Sequence, residues 1–398
     1  MYVTTPSLPG GTRAVPATVI GLGIVSLVTD ASAEMVTAIL PLYLVYGLGL
    51  GYLQLGLLDG LYTGATALLR LGGGHLADRW GRPKAVAVAG YGISALTKLA
   101  FPLVGASAAG IGATIAADRV GKGIRTAPRD AMITAATPPE TLGRAFGVHR
   151  ALDTAGALIG PLIAFALITL VAGGYDTVFV TSFCLGAIAV LILIFFVDVP
   201  GARPAVPIAV REGVRLLLRP ELRRICLAAG LLGLLTVGDM FLFLAVQRSA
   251  GLPSELLPLL PLGTALTFMV AAIPVGRLAD RLGRRRVFLA GHALLIGAYG
   301  FVAVGGAGWW VAGAALLLHG IFYAATDGVL MAQAGPLLPA ELRASGLAVV
   351  QTVQALARSL GAVGFGFAAQ AFALTWAFTG YAVALAAALG LLTLRAAR

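Results

Sequence analysis

A chain of 398 residues with 59% hydrophobic and only 11% charged residues, and a mean hydropathy of +0.94, is not a soluble domain, because it could not enclose so much apolar surface. The bilayer has to be its solvent. The formal net charge of +11 suggests nucleic acid at first sight, but the basic residues gather in connections on one side of the apolar segments, so no nucleic-acid partner is expected.

In chain order, apolar runs lie near residues 17 to 46, 52 to 74, 84 to 106, 109 to 131, 145 to 171 and 176 to 198, then near 222 to 247, 256 to 277, 287 to 306, 309 to 334, 343 to 371 and 374 to 394. Each is long enough for a span of about 20 helical residues. The runs lack period-two alternation, which argues against a barrel, and the 53 glycines suit helices packed closely in lipid. The reading is an all-α membrane protein of twelve transmembrane helices. Met1 to Pro16 is polar, and no cleavable signal peptide is expected before the first run.

Twelve spans put both termini on one face, together with the connections holding Arg79, Arg82 and Lys84, Arg144, Arg203 to Arg224, Arg281 to Arg286, and Arg343. The opposite connections contain only Arg248. By the positive-inside rule the termini are cytoplasmic, in the inner membrane of a bacterium. The longest polar connection, 199–221, divides an N-terminal six-helix bundle, 1–198, from a C-terminal one, 222–398. Its alternation of arginines with Val206, Ile208, Val210 and Val214 suits a short amphipathic helix resting on anionic headgroups.

Ionisable groups inside spans are costly and therefore mark functional candidates. Asp30 and Glu34 stand one turn apart on one face of the first span, and Arg119 lies midway along the fourth. Two carboxyls that repel each other in a dry cavity, facing a guanidinium, form a group that gains and loses a proton near neutral pH. Asp30, Glu34, Arg119 and Asp153 are the expected proton-coupling set, with His149 close to Asp153 in sequence. Lys122, Arg125 and Arg129 follow Arg119, and snorkelling toward the interface accounts for them equally well. Asp59 and Lys98 are expected to neutralise each other between the second and third spans.

The stretch Gly74-His75-Leu76-Ala77-Asp78-Arg79-Trp80-Gly81-Arg82 returns as Gly276-Arg277-Leu278-Ala279-Asp280-Arg281-Leu282-Gly283-Arg284, so the chain is a duplicated half. Internal repeats of multi-span units are how many secondary transporters are built. Both turns resemble the signature of the major facilitator superfamily, Gly-x-Leu-Ala-Asp-Arg-x-Gly-Arg-Arg/Lys. That resemblance implies two pseudo-symmetric six-helix bundles, with Asp78, Arg79, Arg82, Asp280, Arg281 and Arg284 as a gate that latches one conformer and Asp130 as an acidic partner to it. Charge-assisted contacts present in only one state would serve that purpose.

Asp118-Arg119-Val120-Gly121-Lys122-Gly123 is similar to the superfamily's fourth-span motif, with Lys122 replacing the usual Gln. Gly156-x-x-x-Gly160-Pro161 resembles the fifth-span motif of its twelve-span drug:proton antiporters, and Pro41 the proline they carry near the end of the first span. Gly160 and Pro161 are thereby candidate gating residues, although Ala164 and Phe165 depart from the glycines that usually follow. The resemblance implies a proton-coupled exporter of small amphiphilic organic molecules, drug-like or metabolite, working as a monomer by alternating access. The alternative is a uniporter or proton symporter for a nutrient, lipid or metal complex.

A cavity between the first, fourth, seventh and tenth spans would offer Tyr43, Tyr46, Asp239, Met240, Phe243, Tyr323 and Asp327 to such a cargo, with Tyr43, Asp239, Phe243, Tyr323 and Asp327 as the substrate-binding set. Arg358 in the eleventh span is a further buried charge. No ATP-binding loop is present, the four histidines lack metal-ligand spacing, and Cys184 and Cys226 suit neither a disulfide nor a metal. No enzyme activity, metal or cofactor is expected, and the energy source is the proton gradient.

Overall fold

The computed structural model describes residues 15–80, 83–138, 141–171, 174–198, 215, 218–304, 308–338 and 343–394, without the side chains of 70–80, 127, 142, 143 and 343–345. The linker thus lies almost wholly outside the described residues. The first six spans are α1 (Ala17–Leu42), α2 (Tyr52–Trp80), α3 (Pro83–Val104), α4 (Ala108–Ala136), α5 (Leu142–Leu170) and α6 (Tyr175–Phe196). A π-helical turn, Tyr43–Gly47, extends α1. The seventh span is broken into α7 (Pro220–Leu234) and α8 (Asp239–Ser249). It is followed by α9 (Leu260–Leu282), α10 (Arg284–Val304), α11 (Trp309–Ala334), α12 (Arg343–Phe372) and α13 (Leu374–Leu394).

Ten of the twelve spans are apolar enough to cross a membrane on length and composition alone. The two that fall short are α2 and α4, and α4 carries Asp118, Arg119, Lys122, Arg125, Arg129 and Asp130. On α4 Asp118, Arg119, Arg125 and Arg129 are buried. On the outside, Phe195, Phe196, Val304 and Phe372 are exposed as lipid-facing side chains, and Trp309, Trp310 and Trp376 stand at the starts of α11 and α13 where an aromatic belt belongs.

The apolar run at 222 to 247 reads as one helix, but the chain leaves helical geometry between Leu235 and Gly238. Gly238 is extended at φ −63°, ψ 147°. Tyr299 of α10 makes the break tolerable in lipid: its hydroxyl accepts from Val237 N–H at 2.7 Å and donates to the Leu235 carbonyl at 3.3 Å.

In the first half α1 packs between α5 and α6, and α4 between α2 and α3; in the second, α11 packs on α9 and α10, and α12 on α7. The halves meet chiefly along α2 and α12. A Cβ at Gly56 would lie 2.6 Å from the Ala362 carbonyl oxygen, one at Gly60 2.7 Å from that of Ser359, and one at Gly366 2.6 Å from that of Tyr52. Only glycine allows this approach.

Below, the terminal face is the one where α1 begins and α13 ends. Five hydrogen bonds that join the first six spans to the last six lie in the half of the molecule away from that face. Tyr46 donates to Gln247 Oε1 at 2.8 Å, Tyr52 N–H to Gln370 Oε1 at 3.1 Å, Ser359 to the Gly60 carbonyl at 2.6 Å, and Arg248 to the hydroxyls of Tyr46 and Tyr52. The molecule is closed on the outer side. Toward the terminal face the halves diverge around a vestibule of about 800 Å³.

Candidate functional site

α5 crosses α1 at the positions of the Gly-x-x-x-Gly-Pro stretch. A Cβ at Gly160 would sit 2.6 Å from the Ala31 carbonyl oxygen and 3.0 Å from Glu34 Cβ, and Gly156 is pressed on the Leu27 backbone. The small residues therefore fix the face of α1 that holds Asp30 and Glu34. Pro161 follows inside α5, which continues as helix to Leu170.

Two spaces carry the candidate residues. The vestibule is walled by Asp30, Tyr62, Arg119, Lys122, Arg125, Arg129, Asp130, Arg150 and Asp153 on the first half, and by Leu347, Ala348, Gln351, Thr352 and Ala355 of α12 on the second. Deeper lies a cavity of about 320 Å³ between α1, α8, α9 and α11, lined by Glu34, Thr37, Asp239, Met240, Phe243, Phe268, Tyr323 and Asp327 among others. Four of the five expected substrate-binding residues line it.

The fifth does not. Tyr43 is buried against Tyr175 and Phe179, with its hydroxyl 3.4 Å from the Phe101 carbonyl oxygen. Tyr43 stands nine residues past Glu34, which at about 100° per residue puts it on the opposite side of α1, so it points into the first half rather than between the halves. Tyr46 is carried to the outer contact with Arg248.

The expected proton set is brought together with altered pairings. Asp30 pairs with Arg125 at 3.7 Å, not with Arg119, and Asp153 lines the same vestibule. Arg119 is held by Asp118, its neighbour in sequence, and lies 4.0 Å over the Tyr62 ring. Arg129 reaches Asp130 at 2.9 Å and Asp153 at 3.8 Å. Arg125 and Arg129 are buried, so snorkelling does not describe them. Glu34 makes no hydrogen bond or ion pair among the described residues, and its nearest charges are Lys122, Asp30 and Arg119. His149 is buried against Ser26, with Nε2 and Oγ 2.9 Å apart, and does not serve Asp153.

Lys98 does not neutralise Asp59. Its ammonium lies 2.6 Å from Asp118 Oδ1, which also accepts from Ser94 at 2.6 Å. The cause is the α3–α4 crossing, where a Cβ on Gly121 would stand 2.7 Å from the Gly90 carbonyl oxygen and the helices are close enough to join. Asp59 instead lies against Gly238 at the start of α8, its Oδ2 buried without a hydrogen bond. Removing one partner of a buried pair leaves an uncompensated charge. Lys98→Met should therefore lower the unfolding free energy by about 3 kcal/mol, read as a lower melting temperature of the purified protein; an unchanged melt would mean that Arg119 alone balances Asp118.

The second half contributes a polar cluster that sequence reasoning missed in part. Asp239, the first residue of α8, accepts from Tyr323 Oη at 2.7 Å and lies 3.5 Å from His319 Nε2, while His319 Nδ1 is 3.2 Å from Thr264 Oγ1. Arg358 lies 3.5 Å from Asp327 and 5.5 Å from the centre of the Tyr323 ring. The spacing of His319 and Tyr323, one turn apart on α11, was the available signal; their partner in another span was not legible.

Of the gating candidates, the side chains of Asp78 and Arg79, and Arg82 altogether, lie outside the described residues. Asp280 pairs with Arg284 at 3.2 Å, Arg284 also donates to the Ala332 carbonyl at 2.7 Å, and Arg281 is exposed. These contacts stay within the second half. Asp130 is held by Arg129. Cys184 and Cys226 are free.

The model of the Major Facilitator Superfamily matches residues 22–362 and 259–398 of this chain. An uncharacterized MFS-type transporter of the archaeon Methanocaldococcus jannaschii is 32% identical over 346 residues, covering 84% of each protein. Among solved structures, a mutant form of the nucleoside transporter NupG superposes with a TM-score of 0.81 at 14% identity, over 94% of this chain and 99% of its own. A D-xylose-proton symporter superposes at 0.70 and 13%, over 94% and 95%. At such identities the structural likeness establishes the fold. Together with the family match over most of its length, it identifies this chain as a multi-pass membrane transporter that belongs to the major facilitator superfamily.

Proposed function

We propose that the protein is a proton-coupled secondary transporter that exports small amphiphilic organic molecules by alternating access. The observation that carries this reading is Glu34, a carboxyl without hydrogen bond or ion pair set in the wall of the central cavity beside Met240, Phe243 and Phe268. A carboxyl there can take up or release a proton, and its charge changes what the cavity will hold. Asp30, Arg125 and Asp153 continue the ionisable path to the vestibule.

With Lys84 and Arg281 to Arg286 on the terminal face, the positive-inside rule makes that face cytoplasmic, so this conformer is inward-facing. It is held shut outside by Arg248 on Tyr46 and Tyr52. An exposed cation–π contact is worth about 0.5–1 kcal/mol, so Arg248→Ala should raise the outward-open population roughly two- to fivefold. Spin-label distances across the outer face would show it, and unchanged distance distributions would remove Arg248 from the closure.

Everted vesicles with an acidified lumen test direction. An exporter concentrates radiolabelled cargo inside as protons leave. A symporter, the second reading, drives cargo out with the protons; the names of the nucleoside transporter and the xylose-proton symporter of the same fold keep uptake in view. Cargo movement that ignores the pH gradient would refute coupling in either direction.

A further inference from the structure

The vestibule has one charged wall and one neutral wall. Its charged side, with the residues directly behind it, holds the cations Lys98, Arg119, Lys122, Arg125, Arg129 and Arg150 against the carboxyls Asp30, Glu34, Asp118, Asp130 and Asp153. The facing segment of α12, Leu347 to Ala355, has no ionisable residue. Cations outnumber carboxyls.

The cations are not all held alike. Asp118 holds Lys98 and Arg119, Asp130 and Asp153 hold Arg129, and Asp153 also faces Arg150. Lys122 makes no side-chain hydrogen bond or ion pair among the described residues, although it lines the vestibule one turn from Arg119. Arg125 is 3% exposed, and its Nη1 is buried without a hydrogen-bond partner while its other end meets Asp30 only at 3.7 Å. Asp30 and Glu34 are the carboxyls facing Lys122 but neither makes an ion pair with it among the described residues, and a buried guanidinium nitrogen without a partner is costly unless an acceptor completes it.

We propose that the vestibule holds the anionic group of the cargo, a carboxylate or a phosphate monoester, gripped by Lys122 and Arg125 while an apolar remainder reaches toward Met240, Phe243 and Phe268. The proposal rests on the transport reading and names its substrate class. The planar guanidinium supplies paired donors and the ammonium a movable point charge, a combination that serves either oxyanion. Thr63 and Gln351 in the same walls can donate to its remaining oxygens.

The test uses the purified full chain and four probes that share one aromatic ring: benzoate, phenyl phosphate, benzylammonium and benzyl alcohol, titrated by thermal stabilisation. The two anions should bind at least tenfold more tightly than the amine or the alcohol, about 1.4 kcal/mol, and the tighter of the two identifies the headgroup. Lys122→Gln should erase the preference and Lys122→Arg should keep it. The proposal falls if benzylammonium binds as well as benzoate, if Lys122→Gln leaves the preference intact, or if inorganic phosphate or chloride gives the same stabilisation, which would mean an adventitious ion only. The wild-type panel decides the matter even if Lys122→Gln does not fold. Proton-coupled flux of benzylammonium without anion binding would sink this inference and leave the transport reading standing; anion binding without any flux would do the reverse.

Discussion

Glu34→Gln should uncouple transport. A pH gradient of one unit supplies about 1.4 kcal/mol per proton, enough for a coupled carrier to concentrate cargo about tenfold for each proton exchanged. The glutamine keeps the size and polarity of the side chain in the cavity wall but cannot release a proton. The variant should equilibrate cargo and stop at a concentration ratio near one, with binding in the absence of a gradient largely kept. Steady-state accumulation in vesicles, alongside thermal-shift titration of the same preparation, separates the two effects. Tenfold accumulation by the variant would move the coupling role to Asp30 and Asp153, which line the vestibule. Asp30→Asn is the companion experiment, and it also strips Arg125 of its only counter-charge.

Gly60→Ala should shift the molecule away from the inward-facing state. The added methyl would meet the Ser359 carbonyl oxygen at 2.7 Å and Val363 Cγ2 at 2.9 Å, and neither helix can yield without parting the seam between α2 and α12. Overpacking of this kind costs about 1–3 kcal/mol. Because the clash exists only while the outer side is closed, the cost falls on one conformer and changes the ratio of states roughly 5- to 150-fold. Label pairs on the outer and terminal faces should report longer outer and shorter terminal distances. Gly92→Ala is the control, since nothing lies within 4 Å of a Cβ there. If the two variants gave the same distances, the seam would have no part in selecting the state.

The fold was written in features that need no partner to be read: hydropathy for the spans, arginine placement for the faces, and the repeated Asp-Arg turn for the duplication. The site was legible only where one helix decides it. Asp30 and Glu34 share a face because they are one turn apart, and they do line the vestibule and the cavity. Pairings across helices were not legible, because they depend on axial offset. Lys98 meets Asp118 rather than Asp59 since Gly90 and Gly121 let α3 and α4 slide into contact at one height. Asp30 meets Arg125 rather than Arg119 since Asp118 and Tyr62 have already taken Arg119. Tyr43 was legible, since its spacing from Glu34 already puts it on the opposite side of α1, and was misplaced all the same.

The interruption at Leu235 to Gly238 gives the carrier a joint within one bundle. α7 is packed on α12, whereas α8 carries Asp239 to the cavity and Gln247 and Arg248 to the outer contact. Eleven residues of helix form a lever of about 16 Å, hinged where Tyr299 rather than a helical bond ties the chain. Tilting that lever would unseat the outer contact and swing Asp239 while α7 stays in place. Cargo arrival and external opening would then be two consecutive events, with a sealed intermediate between them in which neither aqueous compartment reaches the cargo.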